Sequence, residues 1–159
     1  MSPVTPPETP FDPQPFDPKA RASYASVTPV TIRFQDLDTL GHVNNIAINV
    51  YVEQARVLFW RPFLARFAND RIDTIVVRVA VDYLAELSFP GEVEVGARVS
   101  RIGNKSLVLM NPVFRGDKCH ALGECVIALF DKIERRTVAP SPEFRAALER
   151  QMRDGLSPD

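Results

Sequence analysis

The sequence predicts an α+β domain of two layers, one long helix packed on a five-stranded antiparallel sheet in the order β-α-β-β-β-β, with a short C-terminal helix. Three observations carry this. Ile48, Tyr51, Val52, Ala55, Leu58 and Phe59 recur at the spacing of one helical face. From residue 74 onward the apolar period changes to two, the period of a strand. The alternating segments are joined by links too short for anything but antiparallel neighbours, and a single apolar helix against such a sheet gives two layers.

The elements follow in order. Seven of the first eighteen residues are proline, and Pro-Phe-Asp-Pro occurs at 10–13 and again at 15–18. Proline fixes φ and lacks a backbone donor, so residues 1–28 are expected to form an extended arm that contributes no core and whose removal leaves the fold intact. Phe11, Phe16 and Tyr24 are its apolar anchors. The folded domain is expected over 29–145. Val30, Ile32 and Phe34 alternate with Thr31, Arg33 and Gln35 as a first strand. The helix comes next; Pro62 is expected to kink or end it, and Phe63, Leu64 and Phe67 continue the apolar side. Ile75, Val77, Val79, Val81 and Tyr83 would share one face of the second strand, and Val93, Val95, Ala97 and Val99 the inner face of a third. Gly103-Asn104 signals a hairpin, and residues 107–114 and 119–130 supply the last two strands. Ser141-Pro142-Glu143 has the cap, first-turn proline and acid of a helix start, and Phe144, Leu148 and Met152 follow at i, i+4 and i+8. Residues 146–159 are assigned to that terminal helix and tail. One helix covers one face of a sheet, so the sheet edge or second face calls for a partner subunit.

Composition excludes several functions. A chain of 159 residues is one domain with room for its own core. Lys plus Arg number 19 against 20 Asp plus Glu, which argues against nucleic acid as the main partner. No apolar run approaches the ~18 residues of a membrane span, and no signal peptide opens the sequence. Cys119 and Cys125 on one strand would stand roughly 20 Å apart, too far to bridge. Two thiols and no leader suggest a cytoplasmic protein. The two histidines, His42 and His120, form no zinc spacing, so no metal or other cofactor is expected. There is no Gly-x-Ser-x-Gly elbow and no phosphate-binding glycine loop. Cys119 and His120 are neighbours on a strand, point to opposite faces, and make no nucleophile–base pair.

One dense cluster remains, residues 36–45, with two carboxylates, an imidazole and two amides directly before the long helix. A helix N-terminus presents unpaired N–H groups and partial positive charge, which can hold a developing oxyanion. A carboxylate beside it can attack a carbonyl or activate water. The same residues also suit plain capping, with Asp36 or Asp38 as the cap and Asn44 and Asn45 as further cap and turn formers.

The run Arg33-Phe34-Gln35-Asp36-Leu37-Asp38-Thr39-Leu40-Gly41-His42-Val43-Asn44-Asn45, followed by Tyr51-Val52-Glu53-Gln54-Ala55-Arg56, resembles the signature of the 4-hydroxybenzoyl-CoA thioesterase-like family of hotdog proteins. The segments at 90–95 and 101–106 also look like family segments, and the likeness covers about residues 29–145. Ile48 departs from it, standing where a tyrosine is common. The resemblance implies a hotdog fold and hydrolysis of acyl-CoA thioesters by a homodimer or dimer of dimers with sites at the subunit interface. It assigns Asp38 as nucleophile or general base and the N–H near Asn45 as the group that polarises the carbonyl. Gly41 would allow close backbone approach, while His42 and Asn45 shape the catalytic site. Val43, Asn44 and Tyr51 would line the substrate pocket, and Asp36 would be structural. Glu53 is the rival catalytic carboxylate, since another hotdog branch places an acid on the helix; its plain alternative is a pair with Arg56. Arg101 and Lys105 flank the hairpin as candidates for the phosphates of coenzyme A. Two other activities fit the fold. A hydratase or dehydratase of this type shows Asp-x-Asn-Pro-x-His, which is absent after Asp38. A non-catalytic acyl-ligand binder would keep the same carboxylate.

Overall fold

The structure, a computed structural model, describes residues 16–68 and 70–155. The first Pro-Phe-Asp-Pro, with Phe11, lies outside the described residues.

Alternation of Val30 and Ile32 with exposed threonine builds strand β1 (Val27–Ile32). A short 3-10 turn and the 36–44 loop lead into helix α1 (Asn45–Phe67). Strands β2 (Ile72–Tyr83), β3 (Gly91–Gly96), β4 (Arg98–Ile102), β5 (Ser106–Arg115), β6 (Lys118–Asp131) and β7 (Arg136–Val138) follow, and helix α2 (Pro142–Asp154) ends the described chain. The pairs are antiparallel and the path across the sheet is β1-β3-β5-β6-β2. The expected third strand is interrupted at Ala97, and its halves β3 and β4 both pair with β5. β7 pairs with β6 beyond the end of β5. The predicted five positions of the sheet are therefore all present.

α1 lays Ala47, Ile48, Tyr51, Val52, Ala55, Phe59 and Phe63 on the sheet residues Val93, Val95, Val99, Leu109, Val113, Ala121, Cys125 and Ile127. Each fully buried large side chain of this kind stabilises the fold by ~1.5–3 kcal/mol. Gly123 on β6 permits the close approach. A Cβ there would stand 3.2 Å from a methyl of Val52 and 3.0 Å from the Asn111 carbonyl.

The helix continues through Pro62 rather than ending there. Losing one backbone bond to proline costs ~3 kcal/mol. The extra turn offsets this by burying aromatics, since Phe63 stacks on Phe144 of α2 at 6.1 Å and Phe67 on the same ring at 5.2 Å. α2 begins as the sequence indicated, with Ser141 Oγ accepting from the Phe144 N–H at 3.2 Å.

The arm joins the domain earlier than residue 29. Val27 and Thr28 already pair with β3, and Tyr24 is buried at 2% exposure. Arg98 donates to the carbonyls of Ser23, Met152 and Arg153, and its guanidinium lies 4.4 Å from the Phe16 ring centroid. The second half of the arm is thus fastened to both β4 and the end of α2.

Among the described residues β2 pairs only with β6, which leaves its other edge open. A bulge at Val77 breaks the expected alternation, because Val76 faces Ile127 and Arg78 faces Val126. The five expected residues therefore do not share one face. Ile75, Val76, Val77, Val79 and Tyr83 are exposed, as are Ile46, Val50 and Val57 of α1. Among the described residues no helix is long and apolar enough to cross a membrane, and no group of three or more His, Cys, Asp or Glu is placed to hold a metal ion.

Candidate active site

The loop before α1 is held by backbone bonds before any side chain acts. The Asn44 N–H donates to the Asp36 carbonyl at 2.8 Å, the Asp38 N–H to the His42 carbonyl at 2.8 Å, and the Gly41 N–H to the Asp38 carbonyl at 3.1 Å. Gly41 closes this turn with φ at +80°, a conformation glycine adopts without strain.

The two aspartates have separate environments. Asp36 is buried and accepts from the Arg33 N–H at 2.8 Å, the Arg33 guanidinium at 2.7 Å and the Tyr51 hydroxyl at 2.6 Å. Burial opposes its ionisation, but these hydrogen bonds outweigh it and hold the carboxyl below the usual range. Asp36 is a structural clasp. Asp38 is half-buried, and its Oδ1 accepts from the Leu40 N–H at 2.8 Å and the His42 N–H at 3.2 Å. Among the described residues Oδ2 has no hydrogen-bond partner, so one oxygen is fixed and the other is open.

Asp38 lines a cavity of about 420 Å³ with His42, Val43, Asn45, Ile48 and the segment 83–87. The helix cap is Asn44, whose side-chain oxygen accepts from the Ile46 N–H at 2.8 Å; neither aspartate caps. Asn45 is the first helical residue, and among the described residues its N–H has no protein acceptor. The residue that carries a free donor at the positive end of a helix and the residue that carries an unpartnered carboxylate oxygen therefore line the same cavity. That pairing can hold a carbonyl oxygen while its carbon is attacked. His42 Nε2 stands 3.3 Å from a carboxylate oxygen of Glu86.

The structure brings Asp38, His42, Val43 and Asn45 together as the sequence suggested, and leaves other candidates elsewhere in the same chain. Asn44 spends its amide oxygen on the cap. Tyr51 is buried under Asp36 and does not line the cavity; burial and then its hydrogen bond to Asp36 push its phenol well above the ordinary range. Glu53 is exposed and 3.4 Å from Arg56, and does not line the cavity. Arg101 and Lys105 flank the β4–β5 hairpin, at the opposite end of β5 from the cavity. Tyr83, Leu84, Ala85, Glu86 and Leu87 form a cavity wall that sequence reasoning did not identify. No motif marks them. The only available signal was position, since they leave the strand that follows α1.

A long helix on an antiparallel sheet, with an acid-bearing turn at its N-terminus, is the architecture of a hotdog-fold protein. The chain belongs to the thioesterase-like superfamily, which it matches over residues 32–148. It is similar to the PA5185 protein of Pseudomonas aeruginosa, at 29% identity and a TM-score of 0.71 over 81% of this chain and 92% of that one. It is also similar to a predicted thioesterase from Bacillus stearothermophilus, at 26% identity and a TM-score of 0.72 over 84% and 98%. The uncharacterized protein YsmA of Bacillus subtilis is 25% identical over 130 residues, 80% of this chain and 88% of that protein.

Proposed function

We propose that this protein hydrolyses acyl-CoA thioesters to the free acid and coenzyme A. The observation that carries the reading is Asp38, whose Oδ1 is fixed by two backbone N–H groups while Oδ2 keeps no partner among the described residues, lining one cavity with the first helical residue Asn45. The thioester carbonyl would lie against that N–H, which stabilises negative charge as it develops on oxygen. Asp38 Oδ2 either attacks the carbonyl carbon, giving an anhydride that water then opens, or takes a proton from the water that attacks. The carbon–sulfur bond breaks and the electron pair leaves with sulfur. A thiol of pKa ~8.5 is a good leaving group and needs little protonation.

The exposed apolar side chains of β2 support a homodimer formed at that open edge. The cavity sits at the end of the same strand, so the partner subunit would complete its outer wall.

The test is a panel of acyl-CoA substrates read by thiol release, with wild type and Asp38→Asn. The expected result is turnover by wild type and a loss of about a hundredfold or more in a folded Asp38→Asn protein. Binding of acyl-CoA without turnover by wild type would replace hydrolysis with ligand binding. Full activity in Asp38→Asn would remove Asp38 from the chemistry and with it the reading of this cavity as the active site.

A further inference from the structure

His120 stands on β6, outside the acid-bearing loop, and the ladder is irregular there. Val113 of β5 pairs with Ala121 and Phe114 pairs with Cys119, so His120 faces no β5 residue. It is the extra residue of a β-bulge, a feature that ends regular pairing and re-aims a side chain. Its carbonyl accepts from both the Leu84 N–H at 2.8 Å and the Ala85 N–H at 3.0 Å. Its imidazole Nδ1 lies 2.8 Å from the Glu86 carbonyl, so the ring carries its proton on that nitrogen and donates it. The residue is 7% exposed, which limits replacement of these bonds by water. Three consecutive residues of the cavity wall therefore hang on one histidine.

The far side of the wall is tied to the acid-bearing loop. The Leu87 carbonyl accepts from the Val43 N–H at 2.8 Å, and the Glu86 carboxylate reaches His42 Nε2 at 3.3 Å. The His42 N–H in turn holds Asp38 Oδ1. Glu86 is thus gripped at its carbonyl by His120 while its side chain contacts His42.

We propose that His120 is a positioning residue for this site, holding the 84–87 wall against the His42-Val43 segment so that Asp38 and the helix N-terminus keep their alignment. The inference rests on the thioesterase reading for its kinetic consequence, and on hydrogen bonds alone for the clamp. Misplacing reacting groups by about an ångström costs up to about a hundredfold in rate.

The test uses three variants. In His120→Asn the side-chain amide nitrogen falls near the position of Nδ1, whereas in His120→Gln it falls nearer Nε2. His120→Ala has neither donor. The expected result is that His120→Ala and His120→Gln lose about tenfold to a hundredfold in kcat with a smaller change in KM, while His120→Asn keeps most of kcat. Amide exchange at Val43 should speed up in the two impaired variants and not in His120→Asn, with exchange along α1 unchanged in all three. Wild-type kcat and unchanged Val43 exchange in His120→Ala would overturn the proposal. So would a His120→Asn protein as impaired as His120→Ala, because packing rather than the Nδ1 donor would then be at work. If wild type turns over no acyl-CoA, the thioesterase reading falls by itself, and exchange at Val43 still decides for or against the clamp.

Discussion

The Tyr51 hydroxyl donates to Asp36 Oδ2 at 2.6 Å and so fastens the second turn of α1 to the loop that carries the site. Arg33 completes the clasp from the solvent side. Tyr51→Phe would keep the ring and its packing but leave a buried carboxylate oxygen short of a donor. A hydrogen bond to a charged group is worth ~1.5–3 kcal/mol, so the variant is expected to lose about that much stability in urea unfolding. An unchanged midpoint would show that water replaces the hydroxyl.

Acid should weaken this clasp in a defined way. The folded Asp36 carboxyl is held below its ordinary value, because hydrogen bonds from Arg33 and Tyr51 outweigh burial. A depressed carboxyl contributes its full stabilisation above the unfolded value, ~3.9, and loses it as pH falls through the lower folded value. The stability difference between wild type and Asp36→Asn is therefore expected to be constant near neutrality and to shrink below about pH 4. Denaturation series at several pH values measure it. A difference that persists unchanged to pH 2 would mean that Asp36 acts through packing rather than charge.

The open edge of β2 gives a prediction about assembly. Several large apolar side chains exposed on one edge strand mark an interaction surface, and an unpaired strand edge is a template for another strand. Sedimentation at micromolar concentration is expected to give a mass of at least two chains, against 17.8 kDa for one. Val77→Glu places a charge at the exposed bulge of that strand and is expected to shift the mass toward one chain with lower thioesterase activity. A single-chain mass for wild type would sink the dimer and leave the cavity as it stands in one chain.

These elements also show what the sequence made legible. Helical spacing from Ile48 to Phe59 located α1, period-two runs located the sheet, and Ser141-Pro142-Glu143 located α2, because each is a local pattern of the chain itself. The continued apolar side at Phe63, Leu64 and Phe67 was legible, but that α1 stays one helix through Pro62 was not, since it depends on Phe144, about eighty residues away, packing on Phe63 and Phe67. The Val77 bulge was hidden for a related reason: alternation in one strand does not report the register of its neighbour. At the site, residues 36–45 were visible as a cluster of chemical groups. The division between a clasping Asp36 and an open Asp38 followed from a resemblance and then from hydrogen bonds. The 83–87 wall left no mark, because its place is set by long-range pairing to His120 and Val43.

The last prediction concerns how Asp38 and His42 divide the work. The His42 backbone N–H holds Asp38 Oδ1 at 3.2 Å, and that contact survives removal of the imidazole. The imidazole itself faces Glu86 rather than Asp38. A thiolate leaving group makes a small demand on a general acid, so the ring has little proton transfer to perform. His42→Ala is expected to lower kcat by about tenfold or less, whereas Asp38→Asn removes a group whose base or nucleophile role is worth about a hundredfold to ten-thousandfold. Parallel kinetics on both variants, with substrate binding measured separately, give the comparison. If His42→Ala abolished turnover as fully as Asp38→Asn while folding and binding were unchanged, the imidazole would have to carry an essential proton. Asp38 would then be the group that orients it.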